Sequence, residues 1–282
     1  MLLETVRELS LMANSMRADV VRMLVPAESG HTAGPLGMAD VFSILFFHEM
    51  NYNASQPKWE GRDRFVLSNG HICPILYSAM ARAGFFPLEE LSTLRKLGSR
   101  LQGHPSMHKL PGIENSSGPL GEGLAIACGM ALAGKLDKTE WRVYCAMSDG
   151  EHQEGSTWEA VMLAAKYKLD NLVAICDRNF IQIDGNTEEI MPLSDMAEKY
   201  RAFGWHAITV DGHDYAAVMH ALREARAMKG KPTMIIAKTV PGKGVSFAEN
   251  NFKWHGVTPK PDEGKRALAE LEAERKKLEE AE

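Results

Sequence analysis

Two short polar segments contain the residues best suited to chemistry, and each follows an apolar run. The run at 141–147 leads into "SDG" (148–150), and the run at 171–176 leads into "DRN" (177–179). Apolar runs of this length with a helical stretch at 156–168 between them are typical of consecutive parallel strands. Such strands usually lie side by side, and ligands bind beyond their carboxyl ends. We therefore expect the two segments to meet at one end of a sheet.

The residue types in these segments suit a diphosphate bridged to a metal ion. Asp149 supplies a carboxylate oxygen and Asn179 an amide oxygen, and a loop carbonyl such as that of Ile181 can add a third. Mg²⁺ and Ca²⁺ prefer oxygen ligands of this kind and also take ligand phosphates. Gly150 and Gly155 let backbone amides approach an anion at the start of the next helix, whose N-terminus favours negative charge. The alternative is an ordinary acidic turn, with Asn179 capping its strand.

Four of the ten histidines lie in loops that contain Gly or Pro, and they form the second set of candidates. They are His31 in "SGHTAGPLG", His71 in "LSNGHICP", His104 in "LQGHPS" and His255 in "KWHGVTP". Imidazoles that converge on one pocket can transfer protons and bind hydroxyls or phosphate. A histidine-based zinc site is a rival interpretation, but no HxxxH or HxH spacing supports it. The histidines within or beside regular elements are interpreted as structural: His48, His206, His213 and His220.

The elements that must position these residues alternate along the chain, which predicts an α/β fold with a parallel β-sheet flanked by helices on both faces. Residues 1–260 are expected to form a single domain. Residues 261–282 are expected to form a charged C-terminal helix, either solvated or an interaction surface. The other predicted elements are helices at 3–24, from 38 to 47, 121–135, 156–168, 194–203 and 214–228, a strand, turn and helix at 64–84, and strands at 141–147, 171–176, 206–210 and 232–238.

Composition indicates a globular, cytoplasmic protein. Apolar residues make up 45% and charged residues 24% of the 282, enough to bury a sizeable core. A net charge of −5 without a basic cluster argues against a nucleic-acid partner. The apolar runs are shorter than the roughly 20 residues that a membrane span needs, and the N-terminus lacks the basic region of a signal peptide. The four cysteines show no CxxC pairing and are expected to be buried, reduced thiols.

Several longer stretches resemble the N-terminal, diphosphate-binding part of transketolase, a thiamine-diphosphate enzyme. The matching stretches are "SGHTAGPLGMAD" (29–40), "RDRFVLSNGH" (62–71), "GHP…LPGIENSSGPLGEG" (103–123), "SDGEHQEGSTWEA" (148–160), "NLVAICDRNFIQIDG" (171–185) and "WHG" (254–256). Thiamine-diphosphate enzymes share a Gly-Asp-Gly triplet followed farther on by Asn, and here 28 residues separate Gly150 from Asn179. Ser148 replaces the first Gly, which we expect to be tolerated because the metal oxygen comes from Asp149. The Asp177-Arg178-Asn179 run also differs from the doubled Asn of many relatives, yet it keeps the liganding position.

The resemblance implies a role for each matching residue. Asp149, Asn179 and the backbone oxygen of Ile181 would bind the metal, Mg²⁺, with Ca²⁺ or Mn²⁺ as substitutes. The catalytic residues would be His31, His104 and His255, which would face the sugar and assist proton transfers at its hydroxyls. Glu151 and His152 are expected at the loop surface or against a partner. The remaining cofactor-binding residues implied are His71, Gly118, Pro119, Leu120, Gly150, Glu154 and Ile183.

The resemblance further implies an enzyme split over two chains. In transketolases the glutamate that protonates the aminopyrimidine ring of the cofactor lies in a second, pyrimidine-binding domain, which these 282 residues lack. A separate pyrimidine-binding subunit, in an α2β2 heterotetramer, would complete the transfer of a two-carbon ketol unit from a ketose phosphate to an aldose phosphate. Two alternatives remain. One is other thiamine chemistry, as in a 2-oxo-acid decarboxylase subunit or a deoxyxylulose-phosphate synthase; the other is a non-catalytic module.

Overall fold

The computed structural model describes residues 3–280, and a five-stranded parallel sheet lies at its centre. The strands are β1 (Arg64–Leu67), β2 (Val143–Ser148), β3 (Leu172–Arg178), β4 (Ile181–Gln182), β5 (Gly185–Asn186), β6 (His206–Asp211) and β7 (Thr233–Lys238). The order across the sheet is β1-β2-β3-β7-β6, and every neighbouring pair is parallel. A separate antiparallel hairpin, β4 and β5, follows β3.

The predicted α/β class is confirmed, and the predicted strands and most helices agree with the structure to within a few residues. The helix predicted from 38 to 47 is observed at 39–44 and is continued by a π-helical turn at 45–49. The short helices at 33–37 and 187–190 and the hairpin were not predicted. The helices are α1 (Val6–Ala27), α2 (Ala33–Gly37), α3 (Ala39–Ile44), α4 (Cys73–Arg82), α5 (Gly123–Leu136), α6 (Gly155–Lys166), α7 (Thr187–Ile190), α8 (Met196–Ala202), α9 (Tyr215–Ala227) and α10 (Pro261–Glu280).

Strands β2, β3 and β7 are buried on both faces, which explains why they are largely apolar runs, whereas the edge strand β6 is partly exposed. Side chains alternate along each strand, so Val173 and Ile175 pack with α1, α3, α4 and α9 on one face. Leu172 and Ala174 pack with α5, α6 and α8 on the other face. The polar segments follow at the carboxyl ends of β2 and β3, where Ser148 and Asp177 are paired.

Helix α10 lies against α1 instead of standing free in solvent. Leu271 and Ala267 are buried in the same core as α1, and Asn14 Nδ2 donates to the Leu271 carbonyl at 3.1 Å. Near the end of α10, Arg7 Nε donates to the Leu278 carbonyl at 3.1 Å. One side of this charged helix is therefore attached to the domain, while its other residues face solvent.

The cysteines are free, buried thiols, as the sequence predicts. Burial raises the pKa of Cys73 and Cys128 to about 12. Within residues 3–280, no helix combines the length and the apolar character needed to cross a membrane.

Candidate active site

The carboxyl ends of β2 and β3 bring the two polar segments together, as predicted. Ser148 and Asp177 are paired residues of the two parallel strands, and the Asp149 amide donates to the Asp177 carbonyl at 3.1 Å. Asp149 and Asn179, the predicted metal ligands, are both buried at this junction. We refer to residues 148–150 and 177–181 as the strand-end segments.

The carboxylate of Asp149 has one oxygen fully engaged and one partly free. Its Oδ2 accepts hydrogen bonds from Arg178 Nη1 at 3.0 Å, from the Phe180 amide at 2.8 Å and, more weakly, from Thr187 Oγ1 at 3.4 Å. Its Oδ1 accepts only from the Gly150 amide, at 2.8 Å. Burial raises the pKa of Asp149, and the charge of Arg178 opposes that rise. Since a carboxylate oxygen can accept twice, Oδ1 retains one position for a cation.

The side chain of Asn179 is oriented by its neighbours. Its Nδ2 donates to Asp177 Oδ2 at 2.7 Å, while its Oδ1 accepts from the Ile181 amide at 3.0 Å. The other oxygen of Asp177 accepts from Thr239 Oγ1. Burial raises the pKa of Asp177 to about 7, against the hydrogen bond from Thr239 that lowers it. The amide oxygen of Asn179 therefore retains one acceptor position beside Asp149.

The donor set at the strand-end segments consists of one carboxylate and neutral oxygens, and it fits a hard cation such as Mg²⁺. Throughout the described range, 3–280, no group of three or more His, Cys, Asp or Glu side chains is arranged to hold a metal ion. A cation at this end of the sheet would thus depend on the amide and carbonyl oxygens as well as on Asp149.

The loop at 116–121 approaches the strand ends closely because it contains glycines. Gly118 has a φ of +153°, and a Cβ added there would lie 3.7 Å from the imidazole of His104. A Cβ on Gly70, in the next loop, would lie 2.7 Å from Ser117 Oγ and 3.0 Å from the Gly118 amide. Only glycine lets these two backbones pack so tightly. The glycine loops at 70 and 116–121 form a polar concavity, which we call the cradle, of the kind that binds phosphate groups through backbone amides.

The predicted cofactor residues differ in exposure around this cradle. Leu120 is partly buried, whereas Pro119 and Glu154 are exposed. Ile183 is 67% exposed in the hairpin loop, and a Cβ on Gly256 would lie 3.9 Å from its Cγ1. Glu154 forms no side-chain hydrogen bond at the start of α6, so its support of a diphosphate remains a prediction.

Three of the predicted histidines form one cluster. The ring centroids of His31 and His71 are 4.8 Å apart, and His255 lies 5.5 Å from His31 and 5.4 Å from His71. Burial lowers the pKa of His31 and of His255 to about 4, and it holds the pKa of His71 well below its usual range. His104 is more exposed and lies beside Gly118. The clustered imidazoles are therefore neutral at pH 7 and can both accept and donate hydrogen bonds.

Several buried polar atoms around the pocket have no hydrogen-bond partner within residues 3–280. Leaving such an atom unpaired costs about 1–3 kcal/mol, so a cluster of them indicates a surface that a ligand completes. Gln182 Oε1 lies near the backbone of Gly150, and the others lie in the histidine and glycine loops. Those at the site are His31 Nδ1, His255 Nδ1, Asn69 Nδ2 and Oδ1, Ser117 Oγ and Gln182 Oε1.

The loops that hold the histidines are attached to one another. Thr32 Oγ1 donates to the Val257 carbonyl at 2.6 Å, which joins the loop of His31 to that of His255. His213 Nδ1 donates to Asp40 Oδ2 at 2.7 Å, and its Nε2 accepts from the Val240 amide at 2.8 Å. His213, interpreted as structural from the sequence, thus links α3 to the segment that leads to His255.

The prediction that Glu151 lies at the loop surface was wrong. Glu151 is 0% exposed and accepts hydrogen bonds from Ser68 Oγ, from the Gly121 amide at 2.8 Å and from the Ser148 amide at 3.3 Å. It joins the ends of β1 and β2 to the glycine loop. Glu151 is therefore a support of the cradle, and burial raises its pKa.

His152 is also buried, contrary to the sequence-based prediction. Its Nδ1 lies 2.9 Å from the Ser148 carbonyl, and its Nε2 lies 2.8 Å from the Tyr200 hydroxyl. A carbonyl can only accept, so Nδ1 carries the proton and Nε2 accepts from Tyr200. His152 therefore fixes the start of the loop to α8 in a neutral form.

We expect the free energy of unfolding to fall as the pH drops from 6.5 toward 4, in part because of His152. Burial lowers its folded-state pKa from 6.5 to about 4, so the unfolded chain binds the proton first in this range. Denaturant unfolding at pH 7 and pH 5 should show a smaller loss for His152→Gln than for the wild type, by up to about 2 kcal/mol. An equal loss in both proteins would contradict the neutral, buried assignment.

A parallel α/β sheet with paired Asp and Asn segments and a glycine cradle at its carboxyl end defines a diphosphate-binding class of protein. A family model described as "Transketolase, thiamine diphosphate binding domain" matches residues 9–278. The chain therefore belongs to the transketolase family and corresponds to its thiamine-diphosphate-binding domain.

Two relatives of similar length are named as subunits. The chain is 42% identical over 263 residues to the 6-deoxy-6-sulfo-D-fructose transketolase subunit SqwG of Clostridium sp. (strain MSTE9), covering 92% of this chain and 96% of that protein. It is 40% identical over 274 residues to an apulose-4-phosphate transketolase subunit of Phocaeicola vulgatus, covering 97% of each.

The fold agrees with that of solved transketolases. Transketolase from Campylobacter jejuni matches with a TM-score of 0.86 and 32% sequence identity, over 98% of this chain and 48% of that one. The chain thus spans about half the length of the transketolase structure it matches.

Proposed function

We propose that this chain is the diphosphate-binding subunit of a two-chain transketolase, which transfers a two-carbon ketol unit from a ketose phosphate to an aldose phosphate. The main support is the difference in coverage. The chain accounts for 96% and 97% of two proteins named as transketolase subunits, but for only 48% of a single-chain transketolase. The rest of the active site would then come from a separate subunit.

The strand-end segments would hold the diphosphate of thiamine diphosphate through a divalent metal. Asp149 Oδ1, the amide oxygen of Asn179 and the carbonyl of Ile181 would be the protein ligands, with Mg²⁺ as the resident metal and Ca²⁺ or Mn²⁺ as substitutes. The N-terminus of α6 follows directly and favours a phosphate group. When bound, thiamine diphosphate supplies the nucleophilic carbon that takes up and releases the ketol unit.

The histidines would act on the sugar. His31, His104 and His255 would bind its hydroxyls and assist proton transfers, and His71 would lie against the cofactor. Neutral imidazoles suit this task because each can accept a proton at one nitrogen while donating from the other. The unpartnered Nδ1 atoms of His31 and His255 support the assignment, since both are buried and face no protein acceptor within the described chain.

The partner would be a pyrimidine-binding transketolase subunit in an α2β2 assembly. It would bring the glutamate for the aminopyrimidine ring and cover apolar side chains that the mouth of the pocket leaves in solvent, such as Ile183 (67% exposed) and Met191 (58% exposed). The free, buried cysteines support a cytoplasmic location.

A pentose phosphate is the first substrate to test. The names of the two relatives include a sulfonated fructose and apulose 4-phosphate. Both names describe ketoses with an anionic group, so we propose the same general requirement here. A sulfonated and a branched ketose should be assayed beside xylulose 5-phosphate.

We expect the purified chain alone, given Mg²⁺, thiamine diphosphate, xylulose 5-phosphate and ribose 5-phosphate, to form no product. Addition of a purified pyrimidine-binding subunit encoded beside it should produce activity with at least one of the ketoses. The partner alone, with the same additions, is the control. Substantial turnover by the isolated chain would overturn the two-chain proposal.

A further inference from the structure

Arg178 occupies the middle of the Asp-Arg-Asn segment and contacts the carboxylate assigned to the metal. Its side chain is 5% exposed, and its Nη1 donates to Asp149 Oδ2 at 3.0 Å and to Thr187 Oγ1 at 3.1 Å. Its Nη2 donates to Glu188 Oε1 at 2.5 Å. The guanidinium carbon lies 4.0 Å from the centroid of the Phe180 ring. One buried arginine thus links β3, the turn after it and the start of α7.

The link continues through Glu188 to the chain beyond α7. The carboxylate of Glu188 also accepts hydrogen bonds from the amides of Leu193 and Ser194, both at 3.1 Å. Arg178 forms ion pairs with two separate carboxylates, those of Asp149 and Glu188, and is therefore the common anchor of residues 178–194.

The turn that Arg178 covers has an unfavourable backbone. Phe180 has a φ of +62°, a region that bulky residues rarely occupy, and it lies between the ligands Asn179 and Ile181. The Phe180 amide donates to Asp149 at 2.8 Å, while its ring stacks on Arg178. These contacts hold the turn, and they are all made by the chain itself.

The charge of Arg178 has opposite consequences with and without a metal. Without one, the buried carboxylate of Asp149 needs a positive partner, and Arg178 is within hydrogen-bond distance of Oδ2. With a divalent cation on Oδ1, two positive groups flank a single carboxylate in a buried site, where repulsion between like charges is weakly screened.

We propose that Arg178 is an internal counter-ion of Asp149 that keeps the strand-end segments assembled before the metal binds and lowers the affinity of the site for the metal. This inference rests on the proposed function, because it takes Asp149 as a metal ligand. Arg178 is a positioning residue, since it contacts the carboxylate and the turn but neither substrate nor cofactor.

Three variants separate charge from shape. Arg178→Met keeps an unbranched chain against Phe180 and removes the charge, whereas Arg178→Lys keeps the charge and loses the planar fork. Arg142→Met is the matched control at the opposite end of the sheet, where Arg142 donates to the carbonyls of Asp170 and Arg226.

Hydrogen exchange of residues 178–194 in EDTA reports assembly without metal. Titration of Mn²⁺ into the two-chain complex with saturating thiamine diphosphate, followed by electron paramagnetic resonance, reports affinity.

We expect Arg178→Met to exchange faster across 178–194 in EDTA and to bind Mn²⁺ about ten-fold more tightly than the wild type. Arg178→Lys should retain the wild-type Mn²⁺ affinity, and Arg142→Met should change neither measurement. Unchanged or weaker Mn²⁺ binding by Arg178→Met, with normal binding by the wild type, overturns the inference and leaves the proposed function intact. Failure of every protein, wild type included, to bind Mn²⁺ overturns the metal site and the inference with it.

Discussion

Asp149→Asn should abolish Mg²⁺-dependent binding of thiamine diphosphate and reduce ketol transfer by the two-chain complex at least about 100-fold. Loss of a residue that only supports a metal ligand already lowers metal affinity or activity about 10- to 100-fold, and loss of a ligand should cost more. Asp149 is the single charged ligand of the proposed set, and a neutral amide attracts a divalent cation far less strongly. Isothermal titration calorimetry of the complex, with and without Mg²⁺, measures the loss. Cofactor affinity that keeps its wild-type dependence on Mg²⁺ would show that the metal lies elsewhere.

The choice of Asn follows from the partners of Asp149. Alanine would remove the acceptors for the Phe180 and Gly150 amides and also break the buried ion pair with Arg178, which would keep only its pair with Glu188. Asparagine keeps an acceptor of the same size but still removes one of the two carboxylates that pair with Arg178. The double variant Asp149→Asn with Arg178→Met removes both charges, and it should recover stability in thermal unfolding without recovering cofactor binding.

The position of Asp149 and Asn179 could be predicted because topology alone determines it. Two apolar runs joined by one helix give adjacent parallel strands, and the residues that follow them must then meet. The observed pairing of Ser148 with Asp177 is the direct result. The histidine cluster was harder to predict, since loops carry no periodicity. The similar Gly- and Pro-containing loops indicated a shared pocket, and the resemblance to a family supported that prediction.

The buried state of Glu151 and His152 could not be predicted from the local sequence. A charged residue in a glycine-containing loop is usually solvated, whereas Glu151 is buried and accepts hydrogen bonds from Ser68, 83 residues away, and from the Gly121 amide. His152 likewise depends on Tyr200, 48 residues farther along. Such contacts are products of the assembled fold. Only the tertiary structure therefore separates the buried groups of this loop, Asp149, Glu151 and His152, from the exposed Glu154.

The hairpin after β3 has a recognisable but weak sequence signal. Gln182 pairs with Gly185 across the two-residue loop Ile183-Asp184, so the Asp-Gly step at 184–185 overlaps the second strand and does not occupy both loop positions, where that step is common. With only two residues in each strand, however, the flanking pattern is too short to show alternation. Its position depends on Phe180, whose amide and carbonyl bond to Asp149 and Thr187.

Gly123→Ala should lower the free energy of unfolding by about 3 kcal/mol or more, near the upper end of the cost of overpacking a buried site. A methyl group on Gly123 would lie 2.6 Å from the Cα of Ser68, and backbone cannot yield as a flexible side chain can. Ser68 also donates to Glu151, so its displacement would disturb the support of the glycine loop. Denaturant unfolding of the isolated, metal-free chain measures this change.

Gly129→Ala, in the same helix, provides the matched control. Nothing lies within 4 Å of a Cβ added at Gly129, and the residue is exposed. Alanine there should stabilise the chain by about 0.5–1 kcal/mol, the ordinary gain from replacing glycine in a helix. The same substitution thus has opposite signs six residues apart, because one glycine meets backbone and the other meets solvent. Equal stability of the two variants would show that α5 does not pack closely against the end of β1. The shape assigned to the cradle depends on that packing.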